Sequence, residues 1–276
     1  MRHIVKIILL VFVLVIIGEI FMKNKIPNMN SLRTNVLFIH HSTGGNLLNH
    51  GRVRDEIKKI SSNIDLWDHN YNLNSFLPNI IAKAKFLHRT GLSGPNGNIT
   101  GIDYNINLNN NDPRDYERIF TSASEEETRN KILQFDIIIF KKCFPTSQIE
   151  SDIKLENFKN SYLNIKNFID SYPDKLFIIM TQPPLRSEVT NAENANRARN
   201  LSNWLQSIDF IGGKKNIKVF DFFALLADEN GENQNMLKRE YAPWFYRDSH
   251  PNIYANKTVA TIFANFIANE INSFKK

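Results

Sequence analysis

Five short apolar runs, separated by stretches of helical spacing, constrain this chain more than any other feature. They are NVLFIH (35–40), NIDLWDH (63–69), FDIIIF (135–140), KLFIIMT (175–181) and NIKVFDFF (216–223). Between and after them, apolar residues recur near a 3.6-residue period at 45–60, 114–133, 155–172, 191–208 and 252–274. Strands alternating with helices predict a parallel sheet with helices on both faces. The runs are almost continuously apolar, as strands covered on both sides are. The expected fold is a flavodoxin-like three-layer α/β/α sandwich around a mostly parallel five-stranded sheet.

The stretch from 70 to 112 interrupts this rhythm. It is rich in Asn and Gly, with one helical patch at 80–87, and GLSGPNGNITG (91–101) reads as loop. So long an irregular region in a compact domain is expected to shape a site or cover one.

The first 25 residues stand apart. Arg2 and Lys6 open the chain, and an unbroken apolar run follows from Ile7 to Ile17. No small-x-small cleavage pattern comes after it. From Ile4 to Met22 the stretch is just long enough to span a bilayer, and the basic start would hold it with everything after Lys25 outside. A signal-anchor over 1–25 is expected, membrane-bound and facing the periplasm or cell surface. A cleaved signal peptide, leaving a secreted protein, is the alternative. IPNMNSLRT (26–34) is a linker, and 35–276 is one domain. With 42% apolar residues, the chain has material for a substantial core. The single cysteine, Cys143, excludes an internal disulfide framework and a cysteine-based zinc site. The net charge of +6 is scattered, with no dense basic run, so nucleic acid is not an expected partner.

In doubly wound sheets, ligands bind beyond the carboxyl ends of the strands. The residues that follow each run therefore carry the information. After the first run come His40, His41 and Ser42, then Gly44 and Gly45. A serine hydroxyl becomes a nucleophile when a base takes its proton and donors receive the oxyanion. Gly44 and Gly45 let backbone N–H groups approach a substrate closely. The plainer role for Ser42 is the N-cap of the next helix. At the far end, WFYRDSHPNIYANKTVA (244–260) sets Asp248 and His250 just before the last helix. Serine, histidine and carboxylate recur as a triad on unrelated folds. A metal site from His40, His41, His69 and Asp68 lacks any helix-borne i, i+4 pair, and strand alternation sends His40 and His41 to opposite sides. No metal or cofactor is called for.

FIHHSTG, IIIFKKCFPTS and RDSHPN together resemble blocks of the SGNH hydrolases, the GDSL esterase/lipase superfamily, over roughly residues 35–274. FKKCFPTS, DKLFIIMTQPPLR and DSHPN look most like an exported branch with this fold. The resemblance implies Ser42 as nucleophile, His250 as base and Asp248 as its orienting acid. Departures are visible. His41 stands where the superfamily has aspartate, and Asp248-Ser249-His250 is one residue shorter than the usual Asp-x-x-His. No Gly-x-Asn-Asp follows Phe140; the position of its oxyanion-binding asparagine falls nearest Lys142, whose charge would replace an amide dipole. Cys143 reads as a buried or site-lining thiol.

The expected function is a serine esterase that removes an acyl group, acetyl above all, from a carbohydrate. A lipid-like acyl ester is the next option. Two further classes stay open: an O-acyltransferase acting on a cell-surface glycan, and a non-catalytic glycan-binding protein on the same fold.

Overall fold

The structure, a computed structural model, describes residues 27–73, 90–108, 112–244 and 247–276. The N-terminal apolar run and the helical patch at 80–87 lie outside the described residues. Among the described residues, no helix is long and apolar enough to cross a membrane.

Eight strands follow in chain order: β1 (Thr34–His40), β2 (Ile64–Asn70), β3 (Asn72–Leu73), β4 (Gly91–Ser93), β5 (Asn107–Leu108), β6 (Ile137–Lys141), β7 (Leu176–Met180) and β8 (Ile217–Phe220). Six of them form one sheet in the order β4-β2-β1-β6-β7-β8, and β3 with β5 makes a small parallel pair. All five expected strands are present and pair in parallel. The sheet has six strands rather than five, because Gly91–Ser93 pairs antiparallel with the edge strand β2. The glycines of that segment predict loop. Pairing instead covers an edge that would otherwise expose unpaired backbone.

Nine α-helices are described: α1 (Thr43–Asn49), α2 (Val53–Ile60), α3 (Arg114–Thr121), α4 (Glu126–Ile132), α5 (Asp152–Ile169), α6 (Ala192–Gln206), α7 (Ile208–Ile211), α8 (Phe222–Leu226) and α9 (Ile253–Phe274). Strand alternation splits the core in two. Val36, Phe38, Ile137, Ile139, Ile178 and Met180 face α1, α2 and α9. Leu37, Ile39, Ile138, Phe140, Phe177 and Ile179 face α3, α5 and α6. On α9, Ala255, Val259, Phe263, Ile267 and Ile271 make one buried stripe at helical spacing.

Three expected elements are shorter than their patterns. The helix at 45–60 breaks at Gly51, where a Cβ would strike the Leu47 and Asn256 carbonyls, and Arg52 adopts φ 59°. The helix at 114–133 breaks at Ser122, which is extended and accepts from the Ser124 N–H at 3.3 Å. The strand at 216–223 stops at Phe220, because Asp221 caps α8 by accepting from the Ala224 N–H at 3.0 Å. Without β4, the sheet order is that of a doubly wound fold whose winding reverses between β1 and β6. Ligands of such folds bind beyond the strand ends at that reversal, and Ser42 follows the end of β1 there.

Candidate active site

β1 delivers His40 to the sheet edge, and the chain turns through His41 and Ser42 into α1. Ser42 occupies the N-cap position, yet its side chain makes no capping bond. Its backbone lies at φ 49°, ψ −96°, a region where a residue with a Cβ is strained. That strain aims Oγ away from the helix, and the Ser42 hydroxyl donates to His250 Nε2.

The loop before α9 brings His250 to meet it. Arg247 takes φ 69° and turns the chain. Asp248 Oδ1 then accepts twice from His250, from its backbone N–H at 3.0 Å and from Nδ1 at 2.5 Å. Asp commonly folds over its own backbone two residues on, so the short Asp-Ser-His spacing suffices. Ser249 Oγ accepts from the Arg186 N–H at 3.1 Å and ties the loop to the segment after β7. Asn252 caps α9 through the Ala255 N–H at 2.9 Å. The Phe144 ring stands edge-on to the His250 imidazole, centroids 4.9 Å apart. Ser42, His250 and Asp248 thus form one hydrogen-bonded line, the serine from the turn after β1 and the other two from the loop before α9.

No sequence-family model matches the chain, and no curated protein matches it in sequence. Solved structures do match. A candidate acylhydrolase from Bacteroides fragilis is 13% identical, with 89% of this chain and 91% of that one covered, at a TM-score of 0.52. The chain shares the fold of that protein. Two further matches are a candidate platelet activating factor from Streptococcus pneumonia and a gut microbial diltiazem-metabolizing enzyme. The first is 11% identical, covering 87% and 86% of the two chains at a TM-score of 0.47. The second is 8% identical, covering 88% of this chain and 48% of that one at 0.46.

On this scaffold the expected oxyanion candidates redistribute. Gly44 is buried, and its N–H donates to the His41 carbonyl at 3.1 Å. Its need for glycine is steric, because a Cβ would overlap the His40 side chain. Gly45 is half-buried with His40 Cε1 3.6 Å from where its Cβ would be, and its first-turn N–H has no intrahelical acceptor. The Lys142 ammonium is buried 3.6 Å from Asp115 and 5.0 Å from the Tyr116 ring centroid. Burial lowers its pKa to about 8, partly offset by Asp115. Its neighbour Lys141 is the lysine that reaches the serine turn, donating to Thr43 Oγ1 at 2.6 Å. Cys143 is buried, its Sγ 3.5 Å from the same Thr43 oxygen. Thr43, Phe144 and Asn70 were not singled out from sequence, whereas Lys141 is among the residues that follow the third apolar run. Lys141 and Asn70 each end a strand, which was the available signal.

The histidines are engaged separately, and no metal-binding cluster occurs among the described residues. His40 Nε2 donates to Asp68 Oδ2 at 2.7 Å, and Asp68 also accepts from Arg54. His69 Nε2 accepts from the Tyr104 N–H at 3.1 Å. His41 Nδ1 donates to Asn70 Oδ1 at 3.1 Å. Burial pushes the His41 pKa down to about 4, with the Lys141 charge adding to it; His40 is lowered by the same causes. In the unfolded chain both imidazoles take up protons near pH 6.5. The folded chain resists until much lower, so between those limits the unfolded state binds more protons. Stability is therefore lost as pH falls from 6.5 towards 4. Thermal midpoints across that range should drop steeply in the wild type and less in His41→Gln; parallel curves would mean that His41 contributes nothing.

Proposed function

We propose that the protein is a serine ester hydrolase working outside the cytoplasmic membrane on an acylated, chiefly acetylated, carbohydrate. The observation that carries this is the Ser42 hydroxyl donating to His250 Nε2 while Asp248 holds Nδ1, with Ser42 strained and free of its capping duty. In this reading Ser42 Oγ attacks the acyl carbon as His250 takes its proton. Asp248 fixes the tautomer and stabilises the imidazolium. The Ser42 and Gly45 N–H groups receive the oxyanion. His250 then returns the proton to the leaving sugar oxygen, and water repeats the sequence to free the acid.

The carbohydrate part rests on placement and surface. The apolar run before Lys25 would tether the domain at the outer face. Trp244, six residues before His250, is 86% exposed. Its strap is pinned by Arg186 Nη1 donating to the Pro243 carbonyl at 3.0 Å and Asn252 Nδ2 donating to the Ala242 carbonyl at 3.1 Å. An exposed indole offers a flat apolar face with a polar edge, suited to a sugar ring.

A panel of acetylated saccharides and long-chain esters tests this. Acetate release from the saccharides should exceed long-chain hydrolysis. Trp244→Ala should raise KM severalfold for the sugar esters and leave p-nitrophenyl acetate unaffected. Transfer to an added glycan faster than to water would make the protein an O-acyltransferase. A wild type inert to esters and to a serine-directed probe would leave a glycan-binding protein.

A further inference from the structure

Two lysines stand side by side at the end of β6, and both are 1% exposed, rare for ammonium groups. Lys142 has Asp115 beside it. Among the described residues, no carboxylate lies within ion-pair distance of Lys141. Its Nζ donates instead to Thr43 Oγ1 at 2.6 Å, in a fully buried contact with the residue that follows Ser42. Burial lowers its pKa, and its charge lowers those of both histidines before the serine.

A buried cation without a counter-ion carries a heavy desolvation cost. Such a charge fits a place where negative charge arrives. Acyl transfer at Ser42 brings one: as the Oγ–C bond forms, the carbonyl π pair moves onto oxygen and the serine proton passes to His250. We propose that Lys141, lying beneath the Ser42 turn and linked to it through Thr43, is the electrostatic complement of that oxyanion. It stands in for the side-chain amide that residues 141–147 lack. Lys141 is a positioning residue: it acts through Thr43 and through its field, in a site where water does not screen it. The inference rests on Ser42 being the nucleophile.

The test uses the full chain, p-nitrophenyl acetate, and thermal midpoints for each variant. Lys141→Met keeps the length and removes the charge. It should lower kcat on the order of 10²-fold with KM within about twofold, since the interaction is made only in the transition state. Its thermal midpoint should equal or exceed the wild type, because an unpaired buried charge has gone. Lys141→Arg, retaining charge, should recover much of kcat. Should Lys141→Met fail to fold, Lys141→Arg carries the test, and a hundredfold loss in a folded arginine variant overturns the proposal. A kcat loss that tracks a falling midpoint in both variants assigns a purely structural role and overturns it too. Ser42-dependent hydrolysis unchanged in Lys141→Met overturns this inference alone, whereas a wild type that is inert overturns the parent reading with it.

Discussion

Ser42→Ala should abolish covalent capture by a fluorophosphonate probe and lower ester-hydrolysis kcat on the order of 10⁴- to 10⁶-fold. The size follows from the geometry. Once Oγ is gone, no other hydroxyl is hydrogen-bonded to His250 Nε2 among the described contacts. What remains is binding and the backbone donors, a small residue of the total. The fold should survive, because the Ser42 side chain caps nothing and, among the described residues, pairs only with His250. Intact-mass measurement after probe treatment, alongside a urea midpoint, separates lost chemistry from lost structure.

His250→Ala should cost about as much as Ser42→Ala, and the double variant should cost no more than either. Groups that act as one unit are strongly non-additive. Asp248→Asn should cost less, on the order of 10²- to 10⁴-fold, because Asn can still accept from the His250 backbone N–H. Rapid turnover in a folded Ser42→Ala protein would place the nucleophile elsewhere and sink the triad reading.

The sequence carried the scaffold well because its strands are buried on both faces. Such runs are unmistakable, and the strand order then fixes where a site must lie. What escaped it were features set by neighbours distant in the chain. Gly91–Ser93 looks like loop until β2 offers an edge to pair with. Gly44 looks like a donor-bearing site glycine until His40 is seen beneath it. The choice between Lys141 and Lys142 depends on strand pleating at the end of β6, where adjacent side chains diverge. One lysine went to Thr43 and the other to Asp115. Ser42 itself was ambiguous between cap and nucleophile. Only its backbone angles and the His250 loop, 208 residues away, separate the two.

The second large effect is expected at a residue that the chemistry does not use. Asp68 is buried on β2 and binds two groups at once, His40 Nε2 and the Arg54 guanidinium. The Arg54 side chain is 12% exposed, and burial lowers its pKa to about 10. Asp68→Ala leaves that cation uncompensated and strips the His40 ring of its acceptor. Breaking a buried pair by removing one partner costs about 3–5 kcal/mol, which for a domain of this size lowers the thermal midpoint on the order of 10 °C. Asp68→Asn, which retains an acceptor for His40, should lose less. Arg54→Met in the Asp68→Ala background should restore part of the loss, since the orphaned charge is then gone. The urea midpoint should fall at unchanged m-value, marking a change in stability rather than in compactness. Because His40 is the floor on which Gly44 and the start of α1 rest, the loosened network should also slow probe labelling of Ser42 in the fraction that stays folded. An Asp68→Ala midpoint within 2 °C of wild type, against the order of 10 °C expected, would mean that the His40–Asp68–Arg54 network supports neither the fold nor the serine turn above it.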